Sequence, residues 1–434
     1  MAKLPRRKFI TATGATIITH QLISHLNHSD NSVNANENIP KVHVSNGNVP
    51  EIQNLTFGFV PVTSSCPLII AKAKGFFAKY GMPDVRVIRQ PSWSVMRDKL
   101  MLNSQDGGLD GGHLLFPMAY LLATGEISYK LKIPIYILAR LNLNGQGISV
   151  SNRYNNLQLS LDSSPLKAIF AEKLKKEEMV RCAVPFRRTT GDFFMRWWLA
   201  NGGINPDIDL SLIVIPPPQM VAGMRSHTME AFSVVDPWHE RLISKKLGYS
   251  ALTSGELWNN HPETAFVSRA EWVDKYPQAA KAVLAAIMEA QKWCDQPQNK
   301  PELAEIIAER QWIGAKKELT LNRLLGNFNY GNGRKIENSS YGIKYWRENA
   351  SYPFKSHDLW FLIEDMRWGY RSPEFDTKTL INAVNREDLW RETAKFVGED
   401  AAIPASTSRG IETFFNGLQF DPENPIAYLR SPTS

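Results

Sequence analysis

The stretch LTFGFVPVTSSCPLIIAKAKGFFAKYGMPDVRVI, residues 55–88, contains one complete strand–helix–strand unit. The apolar run at 55–60 predicts a buried strand, and VRVI at 85–88 predicts a second one. Between them, Pro67 favours the first turn of a helix and Gly81 favours a position just past its end. A strand, a helix and a strand in this order are typical of an α/β fold.

The same alternation of short apolar runs and helical stretches continues to about Phe266. From Ala270 onward the pattern is mostly helical, apart from a loop rich in Asn, Gly and Ser at 326–352. We therefore predict an α/β fold with mostly parallel sheets, followed by C-terminal helical additions. A chain of 434 residues exceeds one ordinary core, which indicates two domains or lobes.

The composition is that of a globular chain, with 43% hydrophobic and 21% charged residues. Its formal net charge is +7, from 50 Lys and Arg against 43 Asp and Glu, and the basic residues form no long run. This distribution argues against nucleic-acid binding, whereas a mild positive excess suits a protein that attracts anions.

Three cysteines, Cys66, Cys182 and Cys294, are far apart in the sequence and form no CxxC motif. A zinc site or a disulfide framework is therefore not expected, and with an odd number at least one thiol stays unpaired. We predict buried free thiols that behave as small apolar side chains.

The sequence motifs of common enzyme classes are missing, since no GxSxG, HExxH or Gly-rich phosphate loop occurs. We therefore predict that the protein is not an enzyme and has no cofactor or metal site. An oxygen-rich metal site involving Asp236, Glu256 and Glu263 stays open, but no dense acidic loop supports it. The histidines without metal-ligand spacing are His113, His227, His239 and His261.

The N-terminal segment MAKLPRRKFITATGATIITHQL resembles a twin-arginine export signal, because Arg6 and Arg7 precede a weakly apolar run. The alternative is the basic tail of a cytosolic protein. A signal peptide over 1–35 and a polar spacer over 36–50 follow from this interpretation, with cleavage after Ala35. No cysteine lies near that point, so a lipid anchor has no attachment site.

Helix starts that follow predicted strands are the candidate ligand sites, because unpaired backbone N–H groups there attract anions. Such places also gather ligands in open α/β sheets. Three segments occupy this position: 63–65, 92–94 and 187–190. The hydroxyl side chains at 63–65 offer caps for the first predicted helix, and Ser92 offers a cap for the helix that contains Met96 and Met101.

Side chains in and near these segments suit an oxyanion. Trp93 offers an indole N–H and Gln146 a side-chain amide, while Gly145 permits close backbone approach. Arg187 and Arg188 offer guanidinium groups, which bind planar oxyanions through two parallel hydrogen bonds. The structural alternatives are a packed core tryptophan, an ordinary turn and a solvated arginine pair.

Eight segments, in order over nearly all of the chain after its N-terminal region, resemble the nitrate- and bicarbonate-binding proteins of cyanobacterial-type ABC importers. They are GFVPVTSSCPLIIAKAKGFFAKYG (58–81), PSWSVMRDKL (91–100), NGQGISVS (144–151), AVPF (183–186), IPPPQMVAGMR (215–225), VDPWHERL (235–242), ELWNNHPETAF (256–266) and SHDLWFLIEDMRWGY (356–370). The resemblance implies a two-lobed, periplasmic-binding-protein-like clamshell that closes on an anion without turnover and delivers it to a membrane permease. The expected division is lobe I over 51–143 and 263–400, lobe II over 144–262, and a C-terminal surface tail over 401–434.

The resemblance also implies particular ligand-binding residues. Nitrate binders of this kind place a histidine where this chain has Gly191, and a lysine where it has the stretch Ser254-Gly255-Glu256. Two cationic ligands are therefore expected to be absent, and we predict that an arginine replaces them. A second interpretation is that Glu256 faces the cleft and a calcium ion enters with the anion. The predicted ligand-binding set is Trp93, Gln146, Gly145, Arg187, Arg188, Pro217, Thr63 and Asp236.

Other functions on the same fold stay open. One is binding of cyanate, a sulfonate or a thiamine precursor, and another is ligand sensing by a regulatory protein. The export signal argues against a cytosolic sensor. We expect a periplasmic monomer whose partners are a small inorganic anion and an ABC permease, with no nucleic acid.

Overall fold

A computed structural model of the protein describes residues 49–102 and 104–432. The predicted signal peptide and most of the predicted spacer lie outside the described residues. The sequence of strands and helices in the described chain confirms the predicted α/β class.

The strands come mainly from the first two thirds of the chain, where the sequence alternates short apolar runs with helical stretches. In chain order they are β1 (Thr56–Phe59), β2 (Arg86–Arg89), β3 (Gly111–Leu115), β4 (Ile135–Leu143), β5 (Gln146–Ser151), β6 (Arg181–Val184), β7 (Ser211–Val214), β8 (Ala231–Val235), β9 (Gly248–Thr253), β10 (Pro262–Arg269), β11 (Phe328–Asn329), β12 (Lys335–Ile336), β13 (Glu412–Thr413) and β14 (Gln419–Phe420).

The helices alternate with these strands and then dominate the C-terminal third. In chain order they are α1 (Cys66–Ala73), α2 (Phe76–Lys79), α3 (Trp93–Met101), α4 (Met118–Ala123), α5 (Pro165–Lys175), α6 (Thr190–Asn201), α7 (Pro217–Arg225), α8 (Trp238–Ser244), α9 (Ser254–Leu257), α10 (Ala270–Lys275), α11 (Pro277–Asp295), α12 (Lys300–Ala308), α13 (Leu321–Leu324), α14 (Lys355–Arg367), α15 (Thr377–Val384), α16 (Glu387–Phe396) and α17 (Pro425–Leu429).

Two five-stranded sheets share one topology. The first has the order β2-β1-β3-β10-β4 and the second the order β7-β6-β8-β5-β9. In each sheet three neighbouring strands are parallel, and the fourth runs antiparallel to both of its neighbours. The prediction of mostly parallel sheets is therefore correct for three strands of each sheet. The two antiparallel strands are β5 and β10, and each is the first strand after the chain changes from one sheet to the other.

The chain crosses between the sheets twice. It leaves the first sheet after β4 and enters the second at β5, and it returns between β9 and β10. We call these two places the crossings. All described residues nevertheless belong to one compact unit, so the division into two separate lobes stays a prediction.

The helix α14 contacts elements of both sheets. Its Asp358 pairs with the fully buried Arg140 of β4, which belongs to the first sheet. Its Trp360 lies with its ring centroid 5.2 Å from that of Trp197 on α6, which follows a strand of the second sheet. This C-terminal helix therefore joins the two halves of the fold.

The last residues do not form the surface tail that we predict for 401–434. Phe414, Phe420 and Tyr428 are at most 4% exposed. Tyr428 donates a hydrogen bond of 2.8 Å to Glu364 of α14. Burial of three aromatic side chains outweighs the polar, Pro-rich composition that favoured a tail.

Candidate ligand-binding site

A cluster of buried polar side chains lies where the two crossings meet. Gln146 begins β5 directly after the first crossing and is 2% exposed. Its Nε2 donates to Glu263 Oε1 at 3.2 Å, and its Oε1 accepts from Ser233 Oγ at 3.3 Å. Its backbone N–H donates to Ser254 Oγ at 3.2 Å. We call the following residues the crossing cluster: Gln146, Thr190, Gly191, Ser233, Ser254, His261 and Glu263.

The N-terminus of α6 completes this cluster. The backbone N–H and the Oγ1 of Thr190 both donate to the carbonyl of Phe116, at 3.1 and 3.2 Å. Gly191 follows, and a Cβ at that position would lie 3.3 Å from Gln146 Nε2 and 2.9 Å from Pro185 Cδ. Its backbone N–H has no hydrogen-bond partner among the described residues. A side chain at this position would therefore collide with Pro185, and the free N–H of the glycine at a helix start suits an anion.

Burial shifts the pKa values of the acidic and the basic side chain of the cluster in the directions that disfavour their charged forms. Glu263 is fully buried, and burial raises its pKa well above its usual range despite hydrogen bonds from Gln146 and Thr190. His261 Nε2 lies 2.7 Å from Ser254 Oγ, and its Nδ1 lies 3.7 Å from Glu263 Oε2. Burial lowers the pKa of His261 to about 3, so this contact is not an ion pair at neutral pH.

A second polar group surrounds Trp93 at the start of α3. Ser92 caps this helix through its side chain, as the sequence predicts. The Trp93 ring is 1% exposed and packs edge-on against His113, with 4.8 Å between the ring centroids. His113 Nε2 lies 2.9 Å from Ser64 Oγ. Neither the indole N–H of Trp93 nor the buried Oγ1 of Thr63 has a hydrogen-bond partner among the described residues.

The backbone connects these two groups. The N–H of Thr63 donates to the carbonyl of Asp236 at 2.8 Å, and the N–H of Asp236 donates to the carbonyl of Gly145 at 3.1 Å. The loop after β1, the end of β8 and the first crossing therefore meet at one place. The carboxylate of Asp236 itself pairs with Arg323 Nε at 2.6 Å, so it is already neutralised.

Two predicted residues have structural roles that the sequence did not reveal. Gly145 has φ +94°, and a Cβ there would lie 2.8 Å from Ile343 Cδ1, so the glycine admits the Ile343 side chain. Pro217 is buried at the first position of α7, where a proline is favoured. Their contact with a ligand stays a prediction.

Arg187 and Arg188 have partners outside the crossing cluster. Arg188 Nε donates to Asp365 at 2.7 Å, and its Nη2 also contacts Asp365 and Glu126. Arg187 Nη2 donates to the Tyr370 hydroxyl at 2.9 Å. These contacts do not support a free guanidinium in the cluster, and the predicted role of the two arginines in binding rests on the sequence alone.

Glu256 does not face the crossing cluster. Its carboxylate accepts from the N–H of Thr253 at 2.7 Å in a capping box at the start of α9. It also accepts from the Tyr330 hydroxyl at 2.9 Å and pairs with Arg334. The interpretation that this carboxylate lines the site is therefore not supported by its contacts, whereas its neighbour Ser254 does belong to the cluster.

Comparison with known proteins decides the family. The sequence profile of the NMT1-like family matches residues 48–308, more than half of the chain. The chain belongs to the NMT1-like family. It is 48% identical to the nitrate/nitrite binding protein NrtA of Synechococcus elongatus, over 99% of this chain and 98% of that one. It is 40% identical to the bicarbonate-binding protein CmpA of the same species, over 88% of this chain and 87% of that one.

A solved structure agrees with this assignment. The crystal structure of the periplasmic nitrate-binding protein NrtA from Synechocystis PCC 6803 matches with a TM-score of 0.86 and 51% identity. The match covers 88% of this chain and 99% of that chain. The predicted resemblance to nitrate- and bicarbonate-binding proteins and the predicted binding-protein fold are both confirmed.

Sequence reasoning missed most of the crossing cluster in this NMT1-like chain. Glu263, the only acidic residue of the buried strand β10, was noted only as a member of an open metal site. A lone carboxylate within an apolar strand is itself a signal, because buried charges are rare without a partner. Thr190 and Ser254 carried no comparable signal, because Thr and Ser are common at any helix start.

Two further observations bear on what the site can do. Among residues 49–102 and 104–432, no three His, Cys, Asp or Glu side chains are grouped as metal ligands would be. In the same residues, no helix is long and apolar enough to cross a membrane. The relatives named above are binding proteins, and the cluster offers hydrogen-bond donors such as the side-chain amide of Gln146.

Proposed function

We propose that this NMT1-like protein is the solute-binding component of an ABC importer and captures nitrate or nitrite at the crossing cluster. The observation that carries this proposal is the match to NrtA along nearly the full length of both chains, at 48% identity. Similarity of that extent includes both sheets and both crossings, and therefore the whole surroundings of the cluster.

The chemistry of the cluster supports a small planar anion. Nitrate has three acceptor oxygens and no donor, so it needs donors on several sides. Gln146 offers an amide and Gly191 a free backbone N–H at the start of α6. Trp93 offers an unpartnered indole N–H at the start of α3, the helix that follows β2 of the first sheet. Binding would bring these donors around one ligand, with closure of the two halves and no chemical turnover.

Bicarbonate is the second candidate, and one observation favours it. Bicarbonate carries an O–H group, which an ionised Glu263 would accept, whereas nitrate has no proton to give. The 40% identity to CmpA supports the same alternative. A calcium ion bound with the anion belongs to this alternative, because a divalent cation would keep Glu263 ionised.

The N-terminal sequence supports a periplasmic location for the protein. Export by the twin-arginine route would place the folded protein in the periplasm, where it would deliver the anion to its permease as a monomer. Replacement of Arg6 and Arg7 by lysine is expected to retain the precursor in the cytoplasm. Normal export of that double variant would exclude the twin-arginine route.

Isothermal titration of the chain from residue 36 onward tests the proposed ligand. Nitrate, nitrite, bicarbonate with and without calcium, cyanate and an alkanesulfonate are titrated separately, with chloride as the control anion. We expect heat from nitrate and nitrite and none from chloride. Saturable binding of bicarbonate alone would establish the second candidate, and binding of the sulfonate alone would exclude both.

A further inference from the structure

The loop between α4 and β4 contains an exposed segment of mixed character. Tyr129, Lys130, Leu131 and Lys132 are four consecutive exposed residues, and we call them the basic tip. Tyr129 is 77% exposed and Leu131 is 58% exposed, although both side chains are large and largely apolar. Because apolar and basic residues alternate, the basic tip presents two apolar side chains together with two positive charges.

Hydrogen bonds fix the backbone of the basic tip. The N–H of Lys130 donates to the carbonyl of Gly125 at 3.0 Å, and the N–H of Leu131 donates to the carbonyl of Ser128 at 2.9 Å. The buried Ser128 hydroxyl donates to the Leu131 carbonyl at 2.6 Å. A Cβ at Gly125 would lie 2.9 Å from the Lys130 carbonyl, so the loop closes tightly on itself. A surface that is already ordered loses less entropy when a partner binds it.

Two neighbouring residues of the basic tip have a left-handed backbone. The φ angle is +54° at Tyr129 and +67° at Lys130. For a residue with a side chain, this conformation costs about 1 kcal/mol or more, and glycine or asparagine adopts it more readily. Neither side chain is buried, so packing in the core does not offset this cost. Backbone strain at exposed positions of this kind is typical of a surface that binds a partner.

The two lysines of the basic tip carry uncompensated charge. Neither Lys130 nor Lys132 forms a side-chain hydrogen bond or an ion pair with any residue in the described part of the chain. Glu126 is the one acidic residue of the same loop, and it pairs with Arg371 at 2.7 Å and with Arg188. The basic tip therefore presents positive charge to whatever meets it.

The basic tip lies beside the place where the two halves of the fold meet. The guanidinium carbon of Arg97, on α3, lies 5.8 Å from the ring centroid of Tyr129 and 5.8 Å from that of Phe186, which precedes α6. Glu126 also reaches the second half of the fold through its pair with Arg188. A partner on the basic tip would therefore contact the molecule next to the junction that closure of the two halves would alter.

Charge favours one occupant for this surface. Two copies of the chain that met at this surface would bring four lysines together, and like charges repel each other. An anionic lipid surface would gain about 1 kcal/mol from each lysine, and two lysines with two apolar side chains fall short of stable attachment. An acidic loop of a protein partner would pair with both lysines and cover both apolar side chains.

We propose that the basic tip is a docking surface for an acidic loop of the membrane permease that receives the anion. This inference rests on the proposed function for the identity of the partner. Tyr129 and Leu131 enter an apolar pocket of the permease, and Lys130 and Lys132 pair with carboxylates at its rim. Since the basic tip does not belong to the crossing cluster, it serves delivery of the anion and leaves the affinity for the anion unchanged.

Stimulation of ATP hydrolysis by the importer tests the charged part of this surface. The nitrate importer of the same organism, in nanodiscs of zwitterionic lipid with ATP and nitrate, is titrated with the binding protein. The double variant Lys130→Glu, Lys132→Glu should raise the concentration for half-maximal stimulation at least about tenfold. The matched control is Lys167→Glu with Lys175→Glu, two exposed lysines of α5, and it should stay within about twofold of wild type.

The apolar part of the surface is tested in the same assay. The double variant Tyr129→Ser, Leu131→Ser keeps both lysines and should also raise that concentration about tenfold. Raising the salt concentration should weaken docking of this variant and of wild type, but should have a smaller effect on the charge-reversed protein. Calorimetry with nitrate accompanies every variant, and a Kd within about twofold of wild type shows that the fold and the anion site are intact.

The outcomes distinguish this proposal from the proposed function. If the charge-reversed protein stimulates the importer as wild type does, the docking proposal is wrong. Binding of wild type, but not of the charge-reversed protein, to importer-free phosphatidylglycerol vesicles would assign the surface to lipid and also overturn it. Wild type that binds no nitrate contradicts the proposed function instead. Docking is then measured by surface plasmon resonance on the immobilised importer, where equal binding by wild type and the charge-reversed protein, or no binding by either, excludes the basic tip.

Discussion

Two polar regions lie near the start of α6. One of them is a network of ion pairs, and the other contains no arginine or lysine. Before the helix, Arg187 and Arg188 belong to what we call the arginine network: Arg187, Arg188, Arg196 and Arg371 with Asp192, Asp365 and Glu126. Two residues further on, Thr190 and Gly191 belong to the crossing cluster, which contains no arginine or lysine.

This difference separates a structural region from a binding region. Each guanidinium of the arginine network has at least one carboxylate partner, so an incoming anion would have to displace an existing ion pair. The crossing cluster instead keeps donors without a matching charge, and a bound anion would be its missing partner. A pair of adjacent arginines is therefore a poorer indicator of an anion site here than a single glycine at a helix start.

The pH dependence of stability gives the largest expected difference between the two regions. The folded-state pKa of Glu263 is raised by burial, so this group stabilises the fold most below the pKa of the unfolded chain, and that contribution is lost as the pH rises. We expect the free energy of unfolding of Glu263→Gln to exceed that of wild type by an amount that grows up to about 1.4 kcal/mol per pH unit above about pH 4.5. Urea unfolding of both proteins over a pH series measures this. A constant difference at all pH values would mean that Glu263 is ionised in the fold.

Removal of a cation from the arginine network should destabilise the protein but spare ligand binding. Arg188→Ala leaves Asp365 without its closest partner in a largely buried setting, and we expect a loss of about 3 kcal/mol in the free energy of unfolding. The control is Arg153→Ala, whose partly exposed pair with Glu230 should contribute less than about 1 kcal/mol. Loss of nitrate binding in a folded Arg188→Ala protein would show that Arg188 contributes to the binding site.

The amide of Gln146 should matter for the ligand more than any other single donor, because it lies at the centre of the crossing cluster. Gln146→Ala removes this donor, and nitrate binding should weaken by about 2 kcal/mol, or roughly thirtyfold. Calorimetry checks this against Gln311→Ala, which alters an exposed glutamine in the turn after α12. Equal Kd values for wild type and Gln146→Ala would show that nitrate does not bind at the crossing cluster.

A smaller effect is expected from the Trp93 group. Trp93→Phe keeps an aromatic ring against His113 and removes only the unpartnered indole N–H. Nitrate binding should weaken by about 1 kcal/mol, a change of roughly fivefold. The same substitution at Trp272, in α10, should leave the Kd unchanged. If both variants bind as wild type does, Trp93 is a packed core residue, which is the alternative that its burial allows.

Local rules predicted much of the fold correctly. The alternation of apolar runs and helical stretches, the start of α1 near Pro67 and the cap at Ser92 all depend on residues close together in the chain. The prediction of caps at 63–65 was less successful. The Ser65 side chain donates instead to the Val62 carbonyl at 2.7 Å, and α1 has no side-chain cap. Short hydroxyl side chains have several local partners, and sequence does not decide among them.

The candidate site, like the fold, was only partly predictable from the sequence. The residue pattern along the chain indicated which residues stand at helix starts and strand ends, and so it identified Trp93, Gln146 and the region of Gly191. The contacts in the folded protein were needed to show which of these groups keep a free donor and which charges are already paired. Glu263 meets Gln146 across 117 residues of sequence, and Arg188 meets Asp365 across 177. The charge state of a side chain depends on burial and on such distant partners, because solvation and electrostatic interactions act through space and not along the chain.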